Sequence, residues 1–387
     1  MKIMPTIVVI AYNRIDSLSR LLDSLNNAKI EMNTRLVISI DYSGDFSVTS
    51  HANNFEWLYG DKIVITHDAN LGLRKHVLKC GDLTEIYGAL ILLEDDLVVS
   101  PMFYQYTQEA LEFYEQDNNV AGISLYNHKY NVNAQQTFEP LVDGFDVYWL
   151  QFASSWGQAW TVKHWQDFKC WYEKEDTALS VTDDIPTNIV NWPETSWLKY
   201  FIKYLVVTNK YFIYPRDSLT ANFSDIGTNV VKKDYTFQVG LCLSKQKFDF
   251  SSLAESNAIY DVFFEISPEI LKKFNCTLEL YDFEVDLYGT KRLSNVNKDY
   301  LLSNKAINGS PILSFARELR PHDFNIVSNF TSEKISVFNL AETKAFKANE
   351  NSGSISSSID YYFYSLPLKK LVAAIIAKVK HKIRSVI

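Results

Sequence analysis

From Pro5 to Leu125, short β-branched runs alternate with stretches of helical period, the pattern of βα units wound onto a largely parallel sheet. Ile7 to Ile10, Arg35 to Ile40, Lys62 to Thr66 and Ala89 to Leu93 read as its central strands. Between the first two, Leu18, Leu21, Leu22 and Leu25 fall at i, i+3, i+4 and i+7, which gives a helix one face for the sheet, with Asp16 as its cap. A second helix is predicted after Pro101, a residue suited to a first turn, and carries Phe103, Tyr106, Leu111 and Phe113 toward the body.

Further along, the periodicity fades. Residues 143–230 hold most of the Trp residues, as expected where loops and short helices build a binding face beside a sheet. Residues 250–340 carry mixed short apolar runs with no evident arrangement, and no repeat recurs at a fixed period. ENSGSISSS, residues 350–358, reads as a flexible polar linker. Beyond it, Leu368, Leu371, Val372, Ile375, Ile376, Val379 and Ile383 form an apolar stripe at helical spacing after Pro367. Lys369, Lys370, Lys378, Lys380, Lys382 and Arg384 flank that stripe, the pattern of an in-plane anchor for anionic lipid. A terminal helix docked on its own domain or on a second copy is the alternative.

Composition narrows the class. With 47% apolar and 14% aromatic residues over 387 positions, the chain is not disordered and buries a sizeable core. A net charge of -8 excludes overall attraction to nucleic acid or to an anionic bilayer, so any such attraction is local. Cys80, Cys170, Cys242 and Cys276 form no CxxC pair and read as free thiols of a reducing compartment. The first residues pass directly into a strand without a signal-peptide pattern, and no run reaches the ~18 apolar residues of a membrane span, so a cytoplasmic chain is expected.

Candidate chemistry gathers at strand ends. Glu94-Asp95-Asp96 follows the apolar run Ala89 to Leu93, at the C-terminal edge of a strand where open α/β sheets bind ligands. Three adjacent acids repel one another unless a cation compensates them, and hard divalent cations take oxygen ligands while leaving room for phosphate. The bland alternative is a solvated acidic turn. The first strand ends in Ala11-Tyr12-Asn13-Arg14, the second in Asp41, and the third runs into Asn70-Leu71-Gly72-Leu73-Arg74, where Gly permits close approach and Arg suits phosphate. Taken singly, Asn13 reads equally as a cap, Asp41 as a turn residue and Arg74 as a surface charge. His67, His76, His128, His164 and His322 form no metal spacing and are expected on the surface or on helices.

TIVVIAYNR, NLGLRKH and LILLEDDLVVSPMF together make the chain resemble the GT-A glycosyltransferases over residues 5–230. The last segment is similar to the EDD motif of N-acetylglucosaminyltransferase I type enzymes and their bacterial polysaccharide-building relatives. This resemblance implies an α/β, Rossmann-like GT-A fold with a mixed, mainly parallel sheet flanked by helices. It gives Asp96 a manganese or magnesium ion that bridges the donor diphosphate, and puts Ala11, Tyr12, Asn13, Arg14, Asp41, Asn70, Gly72, Arg74, Glu94 and Asp95 around the nucleotide sugar. A second set, SWGQAW, NWPETSW and YPRDSL, is similar to bacterial capsule and lipopolysaccharide transferases and implies acceptor contacts at Trp156, Gly157 and Trp197. Many such relatives carry an Asp just after the second Trp as general base, where this chain has Leu198 and Lys199. An inverting displacement still needs a group to take the acceptor proton. Glu194 is the first candidate and Asp225 the second, with Asp183 and Asp184 behind them.

The expected organisation is a catalytic domain over 1–245, with a nucleotide-sugar half at 1–130 and an acceptor half at 131–245. An accessory region at 246–345, a linker at 346–359 and the basic helix at 360–387 follow. The expected activity is inverting transfer from a nucleotide sugar, UDP-linked, to a cell-surface glycan or lipid-linked acceptor at the inner face of the cell membrane. An inactive GT-A scaffold is the rival reading. A nucleotidyltransferase would want a Gly-rich phosphate loop, and Ala11 to Asp16 contains no Gly.

Overall fold

The computed structural model describes residues 2–174, 177–225, 235–305, 307, 309–342, 372 and 376. The linker at 346–359 and the helix at 360–387 therefore lie outside the described residues, except for Val372 and Ile376, which are helical and exposed.

The first half is built as the alternating pattern predicts: β1 (Thr6–Ala11), α1 (Ile15–Asn26), β2 (Leu36–Ile40), α2 (Ser47–Asn54), β3 (Lys62–Thr66), α3 (Leu73–Gly81), the short α4 (Thr84–Tyr87) and β4 (Ala89–Glu94). All four strands are parallel. Leu18, Leu21, Leu22 and Leu25 are fully buried on α1. Asp16 does not cap this helix: Arg14 stands at the cap position and Asp16 lies in the first turn, where the helix dipole favours a carboxylate. β3 is not central but forms the sheet's edge, so its residues are only partly covered and Ile63 is exposed.

The next elements are β5 (Leu97–Val99), α5 (Phe103–Tyr114), β6 (Val120–Ser124), a small hairpin of β7 (Tyr130–Asn131) and β8 (Gln136–Thr137), β9 (Val147–Leu150) and β10 (Gln158–Thr161). On α5, Phe103, Tyr106 and Leu111 are buried as expected, whereas Phe113 faces outward against Phe250. After α6 (Val162–Lys174), α7 (Thr187–Val190) and α8 (Leu198–Thr208) come β11 (Tyr211–Pro215), β12 (Thr220–Asn222) and β13 (Ile259–Tyr260). The nine-stranded main sheet runs β13-β9-β11-β6-β10-β4-β1-β2-β3, with β10 antiparallel between β4 and β6. β12 pairs with β5 in a separate two-stranded ladder.

Most of the Trp-rich region is core. Trp149, Trp160 and Trp165 are fully buried, and Phe201 of α8 stacks on Phe168 of α6 at 4.2 Å and on Trp160 at 6.0 Å. Rings carry large apolar area for few rotatable bonds, which suits a helix pair packed flat on a sheet. Residues 283–339 form a second, four-stranded sheet from Phe283–Asp286, Tyr300–Ser303, Ile335–Asn339 and Leu313–Phe315 in that spatial order. All four cysteines are free.

Candidate active site

β1 and β4 lie side by side in parallel with Ile10 opposite Glu94, so the loop that leaves β1 and the acidic triplet emerge together at one sheet edge. Glu94 is the last residue of β4 rather than the first beyond it. Asp95 and Asp96 make the tight turn into β5, and the Phe223 N–H donates to the Asp96 carbonyl at 3.0 Å as β12 runs alongside. Two ladders thus fix the backbone of the triplet.

Three carboxyl groups crowded in little water shift one another. Asp95 and Asp96 are 4% and 6% exposed. Burial and the charges of Asp96 and Asp95 hold the Glu94 carboxyl well above the ordinary carboxylate range. Burial likewise pushes Asp95 up to about 6, although Arg14 pulls it down. Arg14 is the nearby cation: Nη1 lies 3.2 Å from Asp96 Oδ2, Nε 3.4 Å from Asp95 Oδ2, and Nη2 pairs with Asp95 Oδ1. Asp96 Oδ1 is buried and has no hydrogen-bond partner.

On the other side, Asp41 holds the loop after β3. Its Oδ1 accepts from the Tyr42 and Leu71 amides at 2.9 and 2.8 Å, and its Oδ2 from the Gly72 amide at 3.0 Å. The Asn70 amide donates to the Tyr42 carbonyl at 2.9 Å. Gly72 caps α3 with φ +72° and has open space where a Cβ would stand, so the cleft floor stays clear.

These edges border a cleft of about 780 Å³. Its lining includes Ala11, Tyr12, Asn13, Arg14, Asp41, Asn70, Gly72, Glu94, Asp95 and Asp96 on one side, and Trp156 and Trp197 on the other. Four expected residues are not brought to the lining: Arg74, Gly157, Glu194 and Asp225. Arg74 Nη1 donates to Tyr200 Oη at 2.9 Å. Gly157 has φ +91°, and a Cβ there would stand 2.8 Å from Thr220 Cγ2, so packing against β12 demands glycine at this position.

The first and second candidates for the base are both held in ion pairs. Lys199 Nζ donates to Glu194 Oε1 at 2.5 Å and Tyr200 Oη to Oε2, and these two hydrogen bonds keep the Glu194 carboxyl below its usual range. Asp225 accepts from Ser17 Oγ at 2.7 Å and from Arg20; burial pushes its pKa up, but these bonds and the charges of Arg20 and Arg14 outweigh that and keep it low. Asp183 pairs with Lys203 at 3.2 Å, and burial raises Asp184, with neither on the lining.

The lining also includes residues to which the sequence assigned no role at the site: Ser155, Trp192, Thr195, Ser196, Asn222 and His76. His76 ends NLGLRKH, and the others fall inside or next to the aromatic segments SWGQAW, NWPETSW and YPRDSL, which was the available signal. His76, His164 and His322 lie on helices, within the expectation, whereas His128 is on neither a helix nor the surface; all four are buried, because a neutral imidazole packs as a ring. His76 Nε2 lies 2.8 Å from Ser39 Oγ, and burial lowers its pKa to about 4.

Residues 6–165 match the family model described as Glycosyl transferase family 2. The matched segment holds β1 to β4, the acidic triplet and Trp156, so the expected likeness to GT-A enzymes is met over this stretch, and the match supports sugar transfer. Among solved structures, S. aureus TarS is 13% identical over 56% of this chain and 36% of its own, with a TM-score of 0.34. Mannosyltransferase PcManGT from Pyrobaculum calidifontis, in complex with GDP-Man and Mn2+, is 12% identical over 41% of this chain and 45% of its own, at 0.30. GalNAc-T7 with UDP, GalNAc and Mn2+ is 12% identical over 55% and 42%, at 0.38. This chain thus spans less than half the length of each of these three. No curated protein matches it.

Proposed function

We propose that this chain is a metal-dependent, inverting glycosyltransferase that moves a sugar from a nucleotide-sugar donor, UDP-linked, to a cell-surface glycan or lipid-linked acceptor. One observation carries the reading: Asp96 presents a buried carboxylate oxygen without a partner at the edge of β4, beside a cleft with room for a nucleotide sugar.

The donor set suits a manganese or magnesium ion. Among the described residues no group of three or more His, Cys, Asp or Glu side chains forms a metal site by itself. A single free carboxylate oxygen beside open space fits a cation that completes its shell with phosphate oxygens and water. Such an ion supplies Lewis-acid neutralisation of the charge that builds on the leaving diphosphate. Around it, Asp41 holds the Asn70 to Gly72 loop as a floor, Arg14 offers a cation to the phosphates, and Trp156 gives a ring surface for the acceptor, while Trp197 is buried behind it against Trp160 and Phe201.

A second reading has its own support. The acceptor side of the lining, made by Ser155, Trp156, Trp192, Pro193, residues 195–198 and Asn222, carries no carboxylate among the described residues, since Glu194 points off it. A wall without an acid favours a GT-A scaffold that holds glycan without turning it over. The two readings separate when the protein meets a panel of nucleotide sugars with and without manganese, and both saturation binding and nucleotide release are measured. Binding with acceptor-dependent release supports the enzyme, and binding with no release on any acceptor supports the scaffold. No binding defeats both.

The proposal extends to the inner face of the cell membrane, through the basic amphipathic pattern of residues 360–387. Val372 and Ile376 of that stripe are helical and exposed, and no helix among the described residues is long and apolar enough to cross a membrane.

A further inference from the structure

The loop that bears the donor floor and the wall that faces it are tied together outside the cleft. Arg74 lies in the first turn of α3, directly after Gly72 and Leu73. Its Nη1 donates to Tyr200 Oη at 2.9 Å and stands 3.9 Å from Glu194 Oε2. Tyr200 Oη in turn donates to Glu194 Oε2, and Lys199 Nζ donates to Glu194 Oε1 at 2.5 Å and to the Trp192 carbonyl at 3.0 Å. The chain of contacts therefore starts at the donor loop and ends on the backbone of the segment whose Trp192, Thr195, Ser196 and Trp197 line the opposite side.

An exposed ion pair contributes little, and the Glu194 side chain is 77% exposed. Its partner is different. The Lys199 side chain is 2% exposed, so its ammonium has left bulk water and depends on the Trp192 carbonyl and the Glu194 carboxylate. Removing the carboxylate leaves a buried cation with the Trp192 carbonyl and the face of the Tyr200 ring 5.4 Å away, and the segment carrying that carbonyl must shift to relieve it. Glu194, already bonded at both oxygens and off the lining, is poorly placed to take a proton from an acceptor hydroxyl.

We infer that Arg74, Tyr200, Glu194 and Lys199 form a clasp that fixes the 192–197 wall against the donor loop. Glu194 is then a positioning residue for acceptor binding, not the general base. The inference rests on the proposed glycosyl transfer for its kinetic readout, and on the structure alone for its second readout.

Two variants test it, because Glu194→Gln keeps the shape but removes the charge, while Tyr200→Phe removes only the hydroxyl that joins Arg74 to Glu194. Both are expected to raise the acceptor KM about tenfold, to leave donor binding within about twofold, and to keep the acidic limb of the kcat/KM pH profile where it is in the parent. Amide hydrogen exchange across residues 192–197 is expected to quicken in both. A Glu194→Gln protein that loses kcat by more than about 100-fold together with the acidic limb, while Tyr200→Phe behaves as the parent, overturns the inference and makes Glu194 the base. Parent-like exchange and acceptor KM in both variants also overturn it. If the parent binds no nucleotide sugar, the proposed function falls, and hydrogen exchange alone still decides the clasp.

Discussion

Arg14 Nη1 lies 3.2 Å from Asp96 Oδ2, while the same guanidinium pairs with Asp95. Without a divalent cation, this one positive charge is what offsets the acidic turn, so an arriving metal ion meets a resident cation. Arg14→Met is therefore expected to bind manganese alone about tenfold more tightly than the parent, about 1.4 kcal/mol, by titration with electron paramagnetic resonance detection. Equal affinities would show that the guanidinium does not compete.

Asp96→Asn removes the charge but keeps the shape. Cation-dependent donor binding is expected to weaken by about 100-fold or more, while any binding seen without metal stays near the parent level. Isothermal titration with UDP, with and without manganese, reads both. A variant that keeps its manganese response would place the ion elsewhere.

Much of this site was legible because strand ends are local in sequence. The spacing of Leu18, Leu21, Leu22 and Leu25 marks α1, and the run Ala89 to Leu93 marks β4, which is enough to put the triplet at a sheet edge. Strand order was not legible. Nothing in Lys62 to Thr66 tells that it forms an edge, and the four residues of Gln158–Thr161 are too short a run to announce an antiparallel strand between β4 and β6. The second sheet was hidden for the same reason, since its strands are three to five residues long. The roles of Arg74 and Glu194 depend on where α8 begins and which way Tyr200 and Lys199 point, and no spacing in NWPETSW carries that.

The basic stripe at 360–387 predicts lipid attachment by charge and apolar area together. Deleting it is expected to abolish sedimentation with vesicles that contain anionic lipid, with turnover on a soluble acceptor retained. Sedimentation that survives the deletion would remove the anchor from the proposal.

Gly157 is required by the fold on two counts, a φ of +91° and the 2.8 Å approach of a Cβ to Thr220 Cγ2. Gly157→Ala is expected to cost about 2–4 kcal/mol of stability in urea denaturation. Thr220 also donates from Oγ1 to the Trp156 carbonyl at 2.5 Å, a bond that Thr220→Ser keeps while it deletes the offending methyl. Leu125 Cβ and Thr220 Oγ1 would still stand 3.2 Å from the new Cβ, so the double variant should recover only the part of the loss due to the methyl. No recovery would clear the methyl and leave the cost with the dihedral and the two 3.2 Å contacts.

His128 supplies a pH test that is independent of any ligand. Its ring has no hydrogen-bond partner at either nitrogen and is enclosed by Tyr126, Phe152, Trp156, Tyr214 and Phe264, with centroids 5.0 to 6.2 Å away. Burial lowers its pKa from 6.5 to about 3. The folded state therefore stays unprotonated while the unfolded chain takes up a proton below about pH 6.5, so stability falls as pH falls through the window from 6.5 to 3. The slope approaches about 1.4 kcal/mol per pH unit. His128→Phe removes this titration, whatever constant effect it has on packing. Its stability relative to the parent is expected to rise by about 2 kcal/mol between pH 7 and pH 5. Parallel stability curves over that range would mean that the imidazole titrates in the fold as it does in water, and that the aromatic box is open to solvent.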